Sequence, residues 1–204
     1  QKIVVLPFSL DSIRFPVDYV LDDSYDCDDV AKNPDLISVD STGYPTISGK
    51  DVFGDHLCEF NIGYWDEKLI DANCKSSFEI LRHWIIRDEC RPVELNKNPL
   101  RHIQFIKVND KKPPVFKRCF DDVTISTSDK NCTGEFKLPA LSGLIEDGCG
   151  SIRSISVTVN GGTVVSTGTG VFKNYAFTNL TVGEHTVKIR AMDQCRNSAL
   201  CIFK

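Results

Sequence analysis

No window of the 204-residue chain approaches the roughly 20 uninterrupted apolar residues that a membrane-spanning helix needs. There is no basic run either, and the net charge is −4; nucleic acid is therefore not an expected partner, because phosphate contacts need a clustered cationic face. None of the nine cysteines forms a CxxC pair, which disfavours zinc ribbons and thioredoxin-like redox motifs. Four histidines lie far apart, at 56, 83, 102 and 185, with no HExxH or Ser-His-Asp context around them. The glycines of Ser166-Thr167-Gly168-Thr169-Gly170 lack the strand-to-helix setting of a phosphate cradle and read as a loop. The acid doublets Asp22-Asp23, Asp28-Asp29 and Asp121-Asp122 read as solvated turns, since a glycosidase needs two carboxyls facing one cleft. The expectation is a non-enzyme.

What is abundant is cysteine and strand-forming sequence. Composition is that of an ordinary globular protein, 41% hydrophobic and 25% charged, long enough for one large core or two small ones. The opening residues Gln1-Lys2-Ile3 are strand-like and do not resemble a signal peptide, so a mature chain is expected. Nine cysteines point to disulfides in an oxidising compartment, with buried thiols and metal ligation as the alternatives. The odd number leaves at least one thiol free or joined to another chain.

Strands dominate the pattern. In Ile152–Val159 the apolar Ile155, Val157 and Val159 alternate with Ser154, Ser156 and Thr158, and Asn160-Gly161-Gly162 supplies residues that tolerate positive φ, a hairpin signal. Residues 185–193 repeat the alternation, with Val187, Ile189 and Ala191 facing one way, as in a sheet with one wet face. The segments 121–127 and 134–140 add two more expected strands. Residues 78–88, FEILRHWIIRD, fit either a helix or a strand by period alone; aromatic and β-branched enrichment favours the strand.

Pro113-Pro114 reads as a stiff hinge, because neither proline can donate a backbone hydrogen bond and Lys112 is pushed toward extended geometry. The flanking halves share an order. The second runs Glu146-Asp147-Gly148-Cys149, a hairpin, a long strand ending Asp193-Gln194-Cys195, then Cys201-Ile202-Phe203-Lys204; the first runs Tyr25-Asp26-Cys27, a long strand ending Asp88-Glu89-Cys90, then Gln104–Val108. The expected fold is all-β: two tandem immunoglobulin-like β-sandwiches, residues 1–110 with an aromatic-rich insertion and residues 111–204 with a truncated last strand. This order predicts the bridges Cys27–Cys90 and Cys149–Cys195, the latter stabilising by roughly 4 kcal/mol in the chain-entropy model. Cys119 and Cys201 stand at the starts of edge-like strands and are paired, and Cys58–Cys74 closes a local excursion. Cys132 is left over, as a free thiol or an interchain link. Within the insertion, Phe53, Phe60, Tyr64 and Trp65 are either core packing or a contact surface, with Tyr64 and Trp65 the candidate binding pair.

The succession PPVF-x2-C, DDVTIS, LP, EDGCG and VGEHTVKIRAMDQCRNSALCIF over residues 108–204 resembles the hyalin-repeat and related immunoglobulin-like modules. Phe120 stands where that pattern commonly has proline, and Arg196-Asn197 where it has Gly-Asn. The first half, especially CKSSFEILRHWIIRDEC, looks like variant modules of very large cell-surface proteins of Bacteroidota, exported by type IX secretion and used in adhesion, gliding or surface appendages. The resemblance implies a structural or adhesive tandem module, extracellular or at the cell surface. Its implied partners are identical copies in a homo-oligomeric filament, further repeats, or cell-surface glycans or proteins. Val108-Asn109-Asp110 also looks like a cadherin interdomain linker, which makes Asp110 a candidate calcium ligand at the joint; the alternative is an ordinary polar turn. Asn131-Cys132-Thr133 and Asn179-Leu180-Thr181 match the N-glycosylation pattern, and by resemblance to Bacteroidota glycoproteins Asp11-Ser12-Ile13 and Asp40-Ser41-Thr42 are candidate O-linked sites.

Overall fold

Most of the alternating apolar sequence becomes strand in the computed structural model, which describes residues 2–3, 10–52, 60–89, 98–128, 132–160, 165–166 and 175–204. With 45% strand against 12% helix, the protein is all-β. The chain divides into two compact units, Gln1–Asp71 with Ser77–Asn109, and Ala72–Ser76 with Asp110–Lys204. The boundary after Asn109 falls just before the double proline. Ala72–Ser76, which the sequence places in the first half, belongs to the second unit.

The first unit begins with short elements: β1 (Ile13–Arg14), β2 (Tyr25–Asp26), α1 (Cys27–Lys32), α2 (Val39–Thr42), β3 (Thr46–Ile47) and β4 (Lys50–Asp51). The two helices are a departure from the strand-only expectation. They span 6 and 4 residues, too short to impress a 3.6-residue period on the sequence. Local chemistry makes them instead. The Asp26 carboxylate accepts the Asp28 N–H at 3.0 Å and caps α1, and Gly43, at φ 93°, ends α2 in a conformation that side chains with a Cβ resist.

Three long strands follow: β5 (Phe60–Ile70), β6 (Phe78–Asp88) and β7 (Leu100–Asn109). The ambiguous FEILRHWIIRD is thus β6, the centre of a sheet ordered β2-β7-β6-β5. β5 and β6 pair without a shift from Phe60↔Asp88 to Ile70↔Phe78, and β6 and β7 from Phe78↔Val108 to Ile86↔Leu100. Even-numbered residues of β6 and β7 form the buried face, where Ile80, Trp84, Ile86, Ile106 and Val108 are enclosed. Ile86 packs with Leu10, Ile13, Ile47 and Val52, so the small sheet β1-β3-β4 supplies the opposing layer. Gln104 and Arg82 are polar side chains of this interior that are held by hydrogen bonds. Gln104 donates to the Val17 and Thr42 carbonyls at 2.9 and 3.0 Å and accepts the Trp84 indole N–H at 3.4 Å. Arg82 donates to both carboxylate oxygens of Asp66 (2.8 and 2.9 Å), to Thr42 Oγ1 (2.6 Å) and to the Ile37 carbonyl (2.9 Å).

In the second unit, β8 (Val115–Phe116) pairs antiparallel with β10 (Ile145–Glu146), and β9 (Gly134–Lys137) with β13 (Ala176–Leu180). The larger sheet runs β12-β11-β14-β15, built from β11 (Ile152–Val159), β12 (Val165–Ser166), β14 (Val187–Asp193) and β15 (Ser198–Phe203). Val157, Ile189, Ala191 and Phe203 from this sheet close on Leu138, Leu141 and Ile145 to form the core, a two-layer packing. The segment 121–127 differs from expectation: it runs beside the end of β15 without becoming a named strand. The Val123 N–H donates to the Lys204 carbonyl at 2.8 Å, and the Lys204 N–H donates to Asp122 Oδ1 at 2.7 Å.

Both units contain the same antiparallel run of three strands, β5-β6-β7 and β11-β14-β15. The middle strand of each ends in a carboxylate residue with no exposure, Asp88 and Asp193. An asparagine secures each one. Asn98 accepts the Asp88 N–H at 3.0 Å and donates to its carbonyl at 2.8 Å, while Asn197 donates to Asp193 through its N–H and its amide, at 2.8 and 2.9 Å.

Candidate interaction surface

Because side chains alternate along a strand, the buried face of the β5-β6-β7 sheet fixes what stands on its other side. The odd-numbered residues line up in rows across the three strands: Glu67, Leu81 and Phe105; Trp65, His83 and Ile103; Gly63, Ile85 and Arg101. This outer face is apolar at its centre and open. Trp65 is 49% exposed, Leu69 44%, Ile103 38% and Phe105 37%, values that mark uncovered large hydrophobic groups and not the margin of a core. The Trp65 indole lies flat against the His83 imidazole, with centroids 4.7 Å apart and an interplanar angle of 2°. Glu67 Oε2 meets His83 Nε2 at 3.3 Å. Arg87 and Arg101 stand at one end of the stripe and Glu67, Glu79 and Lys107 at the other. Burying half-exposed side chains of this kind contributes about 1 kcal/mol each, enough for a contact surface when several act together.

The sequence-based binding pair is split by this geometry. Trp65 lies in the open stripe, whereas Tyr64, the next residue, points to the opposite side, 5.2 Å from the Trp84 ring and 5.3 Å from the Arg82 guanidinium. Adjacent strand residues cannot share a face. Phe60 packs against the first unit's core, and Phe53 lies outside the described residues. The sequence offers Ile103 and Phe105 no separate signal and His83 only that of one of four dispersed histidines; what marks all three is the odd-position alternation of β6 and β7, visible once Trp84 is known to face inward.

The disulfides revise the expected pairing. Cys74 is bonded to Cys195, with Cα atoms 4.7 Å apart, so Cys195 does not pair with Cys149, nor Cys74 with Cys58. The reason is spatial: Ala72–Ser76 folds with the second unit, where Ser76 Oγ donates to Asp110 Oδ2 at 3.1 Å and lies 3.2 Å from Cys195 Sγ. Cys119 and Cys201 are joined, with Cα atoms 5.4 Å apart. Cys27 and Cys149 are each disulfide-bonded; Cys58 and Cys90 lie outside the described residues, and with them the expected Cys27–Cys90 bridge. Cys132 is an exposed free thiol.

Asp110, the candidate calcium ligand, gathers with Asp147 and Asp193, their carboxylate oxygens within 4.8 Å of one another. Three carboxylates meet part of calcium's need for six to eight oxygens. Asn197 Nδ2 reaches Asp193 Oδ2 at 2.9 Å and Asp110 Oδ1 at 3.4 Å, and Ser76 Oγ donates to Asp110 Oδ2. Gly150 closes the site, since a Cβ there would stand 2.7 Å from Asp147 Oδ2 and 2.9 Å from Asp110 Oδ2. These bonds act as a brace of the second unit.

The described histidines are all engaged in packing or turns. His83 stacks on Trp65. His102 lies against Phe15 at 4.3 Å, and burial holds its pKa below the usual histidine value, with Asp18 opposing in part. His185 Nδ1 accepts from Asn160 Nδ2 at 2.8 Å and its Nε2 donates to the Thr181 carbonyl at 2.7 Å. A shallow groove of about 440 Å³ in the second unit is lined chiefly by Ile125, Phe136, Phe177, Val187 and Phe203. Among the described residues no helix is long and apolar enough to cross a membrane. No protein-family model matches the chain, and neither does any curated protein.

Proposed function

We propose that this chain is a structural and adhesive segment of a large extracellular surface protein or filament, a non-catalytic piece stabilised by disulfides. The observation that carries the reading is the Cys74–Cys195 bridge, which ties together positions 121 residues apart. Such a tie limits how far the chain can open and resists reduction only weakly inside a cell, so it suits an oxidising exterior. The resemblance of residues 108–204 to hyalin repeats and of the first half to Bacteroidota surface modules supports the same reading, with type IX secretion as its implied export route. Thiol labelling of the native secreted protein tests it. Cys132 is expected to react while Cys27, Cys74, Cys119, Cys149, Cys195 and Cys201 do not; nine reactive thiols would remove its basis.

A second reading rests on the open stripe around Trp65: a module that binds glycans or proteins on the outer sheet face. Trp65→Ala and Phe105→Ala are expected to weaken binding to a cell surface about tenfold each, equivalent to about 1.4 kcal/mol, with the circular dichroism spectrum unchanged. Unaltered binding by both variants would count against it.

A further inference from the structure

Among the described residues β5 is an end strand of its sheet, and it is unusually unprotected for one. Natural edges are blunted by shortness, proline, a bulge or outward-reaching charge, because an open row of N–H and C=O groups is a template for another strand. β5 has none of the first three: it runs 11 residues, contains no proline, and pairs with β6 without a register shift. Its charges, though exposed, are engaged by side chains of β6 and not by the open edge. Asp66 is held by Arg82 at 2.8 and 2.9 Å, Glu67 meets His83 at 3.3 Å, and Lys68 Nζ lies over the Phe78 ring at 3.7 Å. Tyr64, Trp65, Leu69 and Ile70 are exposed along the same strand.

We propose that the outer edge of β5 is a self-association site, where a second copy of this chain adds its own β5 antiparallel, with Trp65 opposite Trp65. The occupant follows from charge and register. In an antiparallel pair, opposite residues turn their backbone groups the same way, both toward the partner strand or both away from it, so the two residue numbers must sum to an even value. Centring the two-fold on Asp66, Glu67 or Lys68 sets like charges face to face, a destabilising arrangement. Centring it on Trp65 opposes no like charges. Asp66 then faces Tyr64, Glu67 faces Gly63, Lys68 faces Ile62, Leu69 faces Asn61 and Ile70 faces Phe60, so that all 11 residues are paired. The interface is isologous and closes as a dimer, and the two Trp65–His83 stacks become neighbours on one continuous sheet. This deepens the self-association element of the proposed function while standing on geometry of its own.

Sedimentation velocity of the oxidised chain carrying Cys132→Ser, over a range of concentrations, tests it. A concentration-dependent dimer is expected, with Trp65→Lys and Leu69→Lys each raising the dimer Kd at least tenfold and Ile103→Lys, on β7 of the same face, leaving it unchanged. Spin labels at Asn61→Cys and, separately, Leu69→Cys should each report an intercopy separation near 27 Å, eight residues at about 3.4 Å each. A monomer at every concentration, or a dimer broken by Ile103→Lys and not by Trp65→Lys, would overturn the proposal. Unequal label distances would also overturn it, because equality requires the centre at Trp65. Failure here leaves the thiol-labelling result standing, and nine reactive thiols would sink the structural reading while leaving the dimer intact.

Discussion

Reducing the disulfides lengthens the unfolded chain by at least about 40 nm when it is stretched from its ends, at roughly 3.6 Å per residue. The Cys74–Cys195 bridge encloses a sequence separation of 121 residues, and while it holds, that segment carries no tension. The Cys119–Cys201 bridge, of separation 82, overlaps it and closes much of the same region. Single-molecule stretching with and without reductant reads the difference directly, and equal contour lengths would show that the bridge does not form. The thermodynamic counterpart is also large. Replacing both Cys74 and Cys195 by serine removes about 5 kcal/mol in the chain-entropy model, comparable with the total stability of many domains.

Arg82→Ala destabilises the first unit by about 3 kcal/mol or more. The guanidinium is 2% exposed and its partner Asp66 36%, so the positive charge is the group whose desolvation the fold must offset. It does so with a bidentate carboxylate and two further acceptors, Thr42 Oγ1 and the Ile37 carbonyl. These link the β5-β6 pair to the segment around α2. Arg82→Lys is expected to recover little, because an ammonium cannot reproduce the planar fork that reaches Asp66 with two parallel bonds. Asp66→Asn should also destabilise, by leaving a buried cation without its counter-charge. Urea unfolding midpoints check all three; an Arg82→Ala chain within 1 kcal/mol of the parent would show that the network is not stabilising.

The surface around Trp65 shows how far alternation carries and where it needs help. That β5 and β6 are strands follows from their β-branched and aromatic content, and once Trp84 is known to be buried, period two sends His83, Leu81 and Ile85 outward. The sequence does not say which parity of a two-sided strand faces the core. In β5, Ile62, Tyr64, Trp65, Leu69 and Ile70 occupy both parities, so Tyr64 and Trp65 read as one aromatic patch. Packing of Ile86 against β1, β3 and β4 fixes the even face as the core side, so Tyr64, still 42% exposed, stands toward Trp84 and Arg82 while Trp65, 49% exposed, stands on the other face.

Strand content, the wet and dry faces of β14 and the all-β class are local properties, written in the spacing of a few neighbouring residues. Disulfide partners are not, because a bond forms between sulfurs that meet in space. The likeness of order in the two halves suggested bridges within each half, yet Cys195 meets Cys74, a residue of the short link between β5 and β6 that folds with the second unit. The same distinction explains residues 121–127, whose alternation suits a strand but whose ladder depends on a neighbour elsewhere in the chain. Periodicity decides which side of a strand can be buried; packing decides which strand, loop or sulfur lies against it.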